Sequence, residues 1–287
     1  MVKKIIILGH SGFVGTHLKT ELSKNNSWSV TGCSLPGIDL TVPEHVSRLV
    51  SFFAPDCTLI LAAAVKRQFG DTLQAYKQNM SIIENICDVL REQPVKQVIY
   101  MSSAAVYGEE TENLNIREST PVNPTSYYGA SKYAAERLLH KVCIDNGITS
   151  LVSLRPPLLY GTADAGRTYG PAGFCAAALE GAPITLWGDG TELREFIYIN
   201  DLCRLISHLI EIEFSGELNV ASGFAYCFAD VINILKEKFP NIIVNTRPRS
   251  KPKANNSFDA SKLKSLLPDD FQFTSLKSGL DGMLSQG

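Results

Sequence analysis

No Cys-x-x-Cys pair occurs in the 287 residues, and the seven cysteines, from Cys33 to Cys227, are odd in number and scattered. That spacing excludes a zinc ribbon and a disulfide framework, and reads them as reduced core residues with no metal site expected. Long hydrophobic runs are missing as well. The longest, Leu59 to Val65, has seven residues, whereas a membrane span needs about 18 or more. The apolar stretch near the N-terminus, Ile5 to Leu8, reaches Gly9 after four residues and is too short for a signal-peptide core, so a cytoplasmic protein is expected. An excess of positive charge is also absent. The formal net charge is −2, and the basic residues are dispersed, which argues against a nucleic-acid partner.

What remains is the composition of an ordinary globular enzyme, 45% hydrophobic and 20% charged, with chain enough to bury a core. The small net charge hides an asymmetry. Between Lys236 and Lys264, eight basic residues face two acids, so this stretch carries +6 and the rest of the chain −8.

The pattern along the chain alternates between two periods. Ile5 to Leu8 is a β-branched run ended by Gly9, and Val14, Leu18 and Leu22 follow on one helix face. Strand-like Ser29 to Cys33, helix-like Val42 to Phe53, the apolar run Thr58 to Ala64, a helix around Asn79 to Glu92 and strand-like Gln97 to Met101 come next. Ser126 to Asn146 reads as a helix ended by Gly147, and Ser150 to Leu154 as a strand. Strands without polar alternation between helices predict an α/β fold with a Rossmann-type, doubly wound parallel sheet. Beyond Gly161 glycine, alanine and proline become frequent from Thr162 to Pro183. A smaller C-terminal α/β lobe is expected there, with helices Asp201 to Ile212 and Phe228 to Phe239 and strands Glu217 to Val220 and Ile242 to Asn245. The expected division is residues 1–161 for the first domain, with about 194–220 packing back onto it, and 162–193 plus 221–287 for the smaller lobe.

Gly9, Gly12 and Gly15 form a G-x-x-G-x-x-G turn between the first strand and the first helix. Such glycines allow close approach of backbone to a pyrophosphate, and the helix start offers free N–H donors. At the end of the second strand, where an acid usually holds the adenosine ribose, stand Cys33 and Ser34. No carboxylate repels a 2′-phosphate there and no arginine follows to attract one, so NAD and NADP both remain open.

Tyr128 and Lys132 lie four apart, on one helix face. A phenol near pKa 10 is a poor base at neutral pH, and an adjacent ammonium stabilises the phenolate. Ser103, in Ser102-Ser103-Ala104-Ala105-Val106-Tyr107-Gly108 at the end of a buried strand, could hydrogen-bond the substrate oxygen with which Tyr128 exchanges a proton.

These motifs, in this order, resemble the extended short-chain dehydrogenase/reductase family, in its nucleotide-sugar epimerase/dehydratase branch, from Ile5 to about Leu280. Asp39-Leu40 resembles the pair that sits against adenine, Ala62-Ala63-Ala64 the alanine-rich strand end, and Asn79 the asparagine of the following helix. Val98 to Gly108, Tyr128/Lys132, Arg155 to Gly161, and Gly188-Asp189-Gly190 through Arg194, Glu195 and Asp201 continue the series.

The resemblance implies a hydride shuttle with Ser103, Tyr128 and Lys132 as the catalytic set. It implies contacts to NAD or NADP from Gly9, Gly12, Phe13, Val14, Gly15, Ser34, Asp39 and Leu40. Further cofactor contacts would come from Ala62, Ala63, Ala64, Lys66, Asn79, Tyr128, Lys132 and Pro156. Substrate contacts would come from Ser103, Tyr128, Arg194 and Arg247, with Arg249 an alternative second grip on a diphosphate and Trp187 or Tyr198 able to stack on a base. The basic stretch would then serve the diphosphate locally. The implied substrate is a nucleotide-diphosphate sugar, and a homodimer is implied.

Departures narrow the chemistry. Ala104 and Ala105 stand where 4,6-dehydratases of this kind carry an acidic pair, and Ala105 also stands where 3,5-epimerase/reductases place a cysteine. Leu158 replaces an asparagine that contacts the sugar-nucleotide. A 4-epimerase with a transient keto intermediate is expected. The alternatives are a 4-keto-sugar reductase using NAD(P)H and a silent NAD(P)-binding regulatory protein.

Overall fold

The computed structural model describes residues 2–67, 70–164, 170–249 and 251–285. They fall into two compact units. The first comprises 1–108, 121–155 and 203–218, and the second 109–120, 156–202 and 219–287. These bounds differ from the sequence expectation in three places. The strand Asn113–Ile116 leaves the first domain because it pairs with Asn256–Phe258. Residues from Pro156 on leave it because Leu158–Tyr160 pairs with Leu193–Tyr198. Only 203–218, rather than all of 194–220, returns to the first unit.

The first unit is built on a six-stranded sheet in the order Gly216–Asn219, Ser150–Arg155, Gln97–Met101, Thr58–Leu61, Lys3–Leu8, Trp28–Cys33. The ladders from Trp28–Cys33 across to Ser150–Arg155 are parallel. Every residue of Thr58–Leu61, Gln97–Met101 and Ser150–Arg155 is buried, which explains why these strands show no polar alternation. Polar members are paired inside. Gln97 donates to the Leu209 carbonyl (3.1 Å) and accepts from Thr58 (3.1 Å). Strand order reverses between Lys3–Leu8 and Thr58–Leu61, so the connections that follow these two paired strands run in opposite directions and leave a crevice at their carboxyl ends.

Two long helices cover the sheet. Leu73–Glu92 begins at Thr72, whose side chain accepts from the Ala75 amide, and so starts six residues earlier than its apolar stripe suggests. Tyr127–Asp145 begins at Ser126, which caps the Gly129 amide (3.0 Å). The helix expected from Val42 to Phe53 is split into an α-turn, Pro43–Val46, and a 3₁₀ turn, Ser47–Ser51. Buried Val46 and Leu49 are three apart and meet the core through the tighter winding.

The second unit holds three small sheets. Leu193–Tyr198 lies between Ala225–Cys227 and Leu158–Tyr160, Ile184–Trp187 pairs with Val244–Arg247, and Asn113–Ile116 pairs with Asn256–Phe258. The helices Pro171–Glu180, Phe228–Lys238 and Leu276–Leu284 pack on them around Tyr160, Phe174, Phe196 and Leu280. In the last helix Gly279 leaves room for Tyr160, since a Cβ there would lie 2.1 Å from the phenol oxygen. Six of the seven cysteines are buried, Cys227 is half-buried, and all are free thiols. Among the described residues no helix is long and apolar enough to cross a membrane.

Behind the carboxyl end of Gln97–Met101 lies a buried ion pair. Glu136 takes two bonds from Arg155, at 2.9 and 2.6 Å, and a third from Ser102 at 2.5 Å, while Arg155 also donates to the Tyr107 hydroxyl at 2.8 Å. Both side chains are under 5% exposed. Removing one partner strands a buried charge, at a cost of about 3–5 kcal/mol. Glu136→Ala is therefore expected to lower the urea unfolding free energy by about that amount, and Glu136→Ala/Arg155→Met by less than the sum of the single changes. A loss under about 1 kcal/mol in the single variant would contradict this account.

Candidate active site

The crevice at the strand reversal is a cavity of about 360 Å³. Its floor is the glycine turn. A Cβ on Gly9 would stand 2.6 Å from the Ala63 amide nitrogen, and one on Gly15 would stand 2.2 Å from the Gly9 carbonyl, so neither position admits a side chain. Gly12 caps the helix Phe13–Leu22 with no side-chain hydrogen bond, and the first helical turn holds no acid. The first amides are thus left to a ligand, and the partial positive charge of the helix start is uncompensated, which suits a pyrophosphate.

Of the cofactor contacts expected from sequence, Gly9, Gly12, Phe13, Val14, Gly15, Ser34, Asp39, Leu40, Ala62, Ala63, Ala64 and Lys66 all line this cavity. Lys66 sits over the Phe13 ring, 5.5 Å from its centroid, rather than in open solvent. Asn79, Tyr128, Lys132 and Pro156 are not in the lining. Asn79 instead holds the loop above, accepting from the Val65 amide (2.7 Å) and donating to the Val65 carbonyl (3.1 Å). Sequence reasoning missed Ser11, Leu35, Ile38, Thr41, Val65, Gln78 and Ile82. Gln78 and Ile82 could have been found, since they flank Asn79 in the same helix and lie four apart, on one face. Asp39 bonds the Thr41 hydroxyl (2.7 Å) and amide (2.9 Å), which hold its carboxyl below the usual range and keep it ionised.

Ser103, Tyr128 and Lys132 gather where the helix Tyr127–Asp145 meets the end of Gln97–Met101. Close approach is possible because Gly129 lies against the Ala105 carbonyl, which a Cβ would meet at 2.5 Å. Ser103 accepts from the Ala105 amide (3.1 Å), and its hydroxyl is a polar neighbour that favours the Tyr128 phenolate. Lys132 is buried, donates from Nζ to the Met101 carbonyl (2.6 Å), and lies 5.6 Å from the centroid of the Tyr128 ring.

Burial pushes the Tyr128 phenol up to about 12, opposed by the Ser103 hydrogen bond and then by the charge of Arg67. Burial pushes Lys132 down to about 7, opposed by Glu136. Lys132 lies beside the Tyr128 ring, where the sequence expectation placed it. Its ammonium is directed at a backbone carbonyl, and the groups that favour the phenolate are Ser103 and Arg67. Arg67 lies 61 positions from Tyr128 in sequence, and nothing in local spacing signals the pair.

In the second unit the expected substrate arginines are engaged. Arg194 gives Nη1 to the Leu193 and Ala254 carbonyls, and Nη2 to the Glu109 carbonyl and Glu192 (2.8 Å). Glu192 also receives Arg249 (2.5 Å) and the Ala254 amide (3.1 Å). Burial raises the Glu192 carboxyl, but the two arginines and the amide outweigh it and hold it below the usual range. Arg194 thus bonds a protein carboxylate and backbone carbonyls in this structure. Arg247 is exposed at the end of Val244–Arg247, Trp187 is 41% exposed beside it in the ladder, and Tyr198 is core. Leu158 is half-buried in a strand. No cluster of metal-ligating side chains occurs among the described residues.

The chain is 29% identical over 299 residues to GDP-6-deoxy-D-talose 4-dehydrogenase of Aggregatibacter actinomycetemcomitans, covering 98% of this chain and 96% of that enzyme. It is 27% identical over 310 residues to an uncharacterized UDP-glucose epimerase of Bacillus subtilis, covering 96% and 95%. The UDP-glucose 4-epimerase of Thermus thermophilus, solved in complex with NAD, superposes with a TM-score of 0.83 over 98% of both chains at 24% identity, a likeness of fold. The model of the NAD dependent epimerase/dehydratase family matches residues 5–221. With the glycine cradle, the strand reversal and three quarters of its length accounted for in this way, the chain belongs to the NAD dependent epimerase/dehydratase family.

Proposed function

We propose that the protein is a nucleotide-sugar 4-epimerase that oxidises C4 of the sugar and reduces it again from the opposite face. The observation that carries this reading is buried Lys132 lying 5.6 Å from the centroid of the Tyr128 ring, with Ser103 at the adjoining strand end. Ser103 orients the sugar oxygen, Tyr128 takes its proton and later returns it, and Lys132 supplies a nearby amine whose own charge changes near neutral pH. The glycine cradle holds a pyrophosphate, and the wall from Ser34 to Thr41 faces the adenosine end. NAD, when bound, supplies the hydride acceptor and donor. A 2′-phosphate on that wall would meet the ionised Asp39 and no guanidinium, which supports NAD over NADP.

Ala104 and Ala105 offer no acid or base, so elimination of water is left out of the proposal. A 4-dehydrogenase or 4-keto reductase is the second reading, favoured by the talose 4-dehydrogenase among the relatives. Retention of both Tyr128 and Lys132 speaks against a silent binding protein.

Tyr128→Phe is expected to lower kcat by at least about 10²-fold with any sugar that is turned over, while calorimetric NAD binding stays within a few-fold. Full activity in that variant would remove the proposal. NAD is expected to raise the melting temperature more than NADP at equal concentration, and a UDP-, GDP-, dTDP- or CDP-sugar to raise it further. Conversion without added cofactor identifies the epimerase. Consumption of NADH in step with a 4-keto sugar identifies the reductase instead.

A further inference from the structure

Two side chains from one face of the helix Tyr127–Asp145 grip consecutive residues where the strand Gln97–Met101 ends. Lys132 donates from Nζ to the Met101 carbonyl at 2.6 Å, and Glu136 Oε1 accepts from the Ser102 hydroxyl at 2.5 Å. One grip donates and the other accepts. The strand end is itself folded over, because the Ser102 amide donates to the Tyr100 carbonyl at 3.0 Å, with Met101 at the centre of that turn. Helix and strand end are thus joined at two adjacent points, and neither can slide past the other without breaking both.

The carboxylate that makes the second grip is held from a third element. Arg155, at the end of the adjacent strand Ser150–Arg155, donates Nε to Glu136 Oε1 (2.9 Å) and Nη2 to Oε2 (2.6 Å). Its Nη1 goes to the Tyr107 hydroxyl (2.8 Å), in the turn that follows Gln97–Met101. Both members of this pair are under 5% exposed, so the carboxylate has no freedom to follow a moving strand end. The other titratable groups against the Lys132 amine are two phenols, with the Tyr100 ring centroid at 4.9 Å and that of Tyr128 at 5.6 Å. Burial keeps both phenols neutral at neutral pH. On a helix, residues four apart have Cβ atoms about 5–6 Å from each other, which puts the Glu136 carboxylate within range of the amine and in favour of its charged form.

We propose that Glu136 is the positioning residue of Lys132, its carboxylate tying the helix to the strand end through Ser102 so that the amine stays on the Met101 carbonyl beside the Tyr128 ring. The assignment rests on the reading of Lys132 as a member of the catalytic set. Arg155 and Tyr107 hold the carboxylate in place, and Ser102 carries that hold to the strand. No contact with substrate or cofactor is required of Glu136, because it acts through Lys132.

The test follows Lys132 directly. Lysines labelled with carbon-13 at Cε report the titration of each amine, and the Lys132 resonance is identified by its loss in Lys132→Met. Brought down to about 7 by burial, it titrates apart from exposed lysines. Glu136→Gln removes the charge and leaves Arg155 unopposed, and is expected to lower the Lys132 midpoint by about one unit and kcat about tenfold at neutral pH, with KM within about twofold. Ser102→Ala leaves the ion pair whole and frees only the strand end. It is expected to lower the midpoint by a smaller amount and kcat severalfold, because the charged amine loses its fixed acceptor. A midpoint unmoved in either variant overturns the proposal, whatever happens to activity. If Glu136→Gln fails to fold, Ser102→Ala decides, since the buried pair remains in it. The titration needs no substrate, so failure to turn over any nucleotide sugar would count against the proposed function and leave this result readable.

Discussion

Tyr128, Lys132 and Glu136 follow one another at intervals of four along the inner face of one helix, and each brings an ionisable group into the interior of the first unit. A phenol, an ammonium and a carboxylate in a row are costly to desolvate unless each finds a partner. The end of Gln97–Met101 and the turn after it provide them, with help from Arg155. Ser103 meets the phenol, the Met101 carbonyl meets the ammonium, and Ser102 with Arg155 meets the carboxylate. The match of rise between helix and strand end is therefore the constraint on which the reactive group depends. Gly129 against Ala105 and Ser126 at the helix start serve it, the one by removing a side chain and the other by fixing where the helix begins.

That arrangement separates the work of the two charged neighbours. Glu136 raises Lys132 while being held by Arg155, so the buried ion pair does more than stabilise the fold. It keeps a carboxylate one turn from an amine whose charged form burial disfavours. Lys132 ends near 7 because these effects oppose one another. A lysine in that range can hold or release a proton as its surroundings change, which a fully exposed one near its ordinary value cannot do at neutral pH.

Local spacing made the core of the site legible in the sequence. Gly9, Gly12 and Gly15 follow directly on an apolar strand, and Tyr128 and Lys132 lie on one helix face. Each pattern is contained in a few residues, so its geometry follows from helix and turn periods. The partnerships that tune the site join residues from different elements, such as Asp71 with Tyr128, Asn79 with Val65, and Glu136 with Arg155. Asn79, Tyr128 and Arg155 stand in recognisable motifs, but nothing in those motifs names the residue each one meets. The same limit explains the domain bounds. Asn113–Ile116 carries no sign in its own residues that its partner is Asn256–Phe258, and a division drawn from a change of texture near Gly161 passes over it.

The basic stretch shows what such long-range pairing does to a charge count. From Lys236 to Lys264 the excess of six positive charges suggests a surface prepared for a diphosphate. In the folded second unit several of those charges meet acids from elsewhere. Lys238 reaches Asp281, Arg249 reaches Glu192, and Lys251 reaches Glu110. Glu192 binds Arg194 and Arg249 together, so two guanidiniums share one carboxylate and leave a net charge of one. The exposed members of these pairs contribute little stability, because solvent screens them. The Glu192 group is different, being largely enclosed and joined to the Ala254 amide as well. It fastens the strand Leu193–Tyr198 to the segment that follows Val244–Arg247, and it does so with the side chains that sequence alone would reserve for a ligand. Arg247, exposed at the end of its strand, keeps its charge at the surface. The excess positive charge thus serves first to hold the second unit together, and what an anionic ligand meets is the remainder.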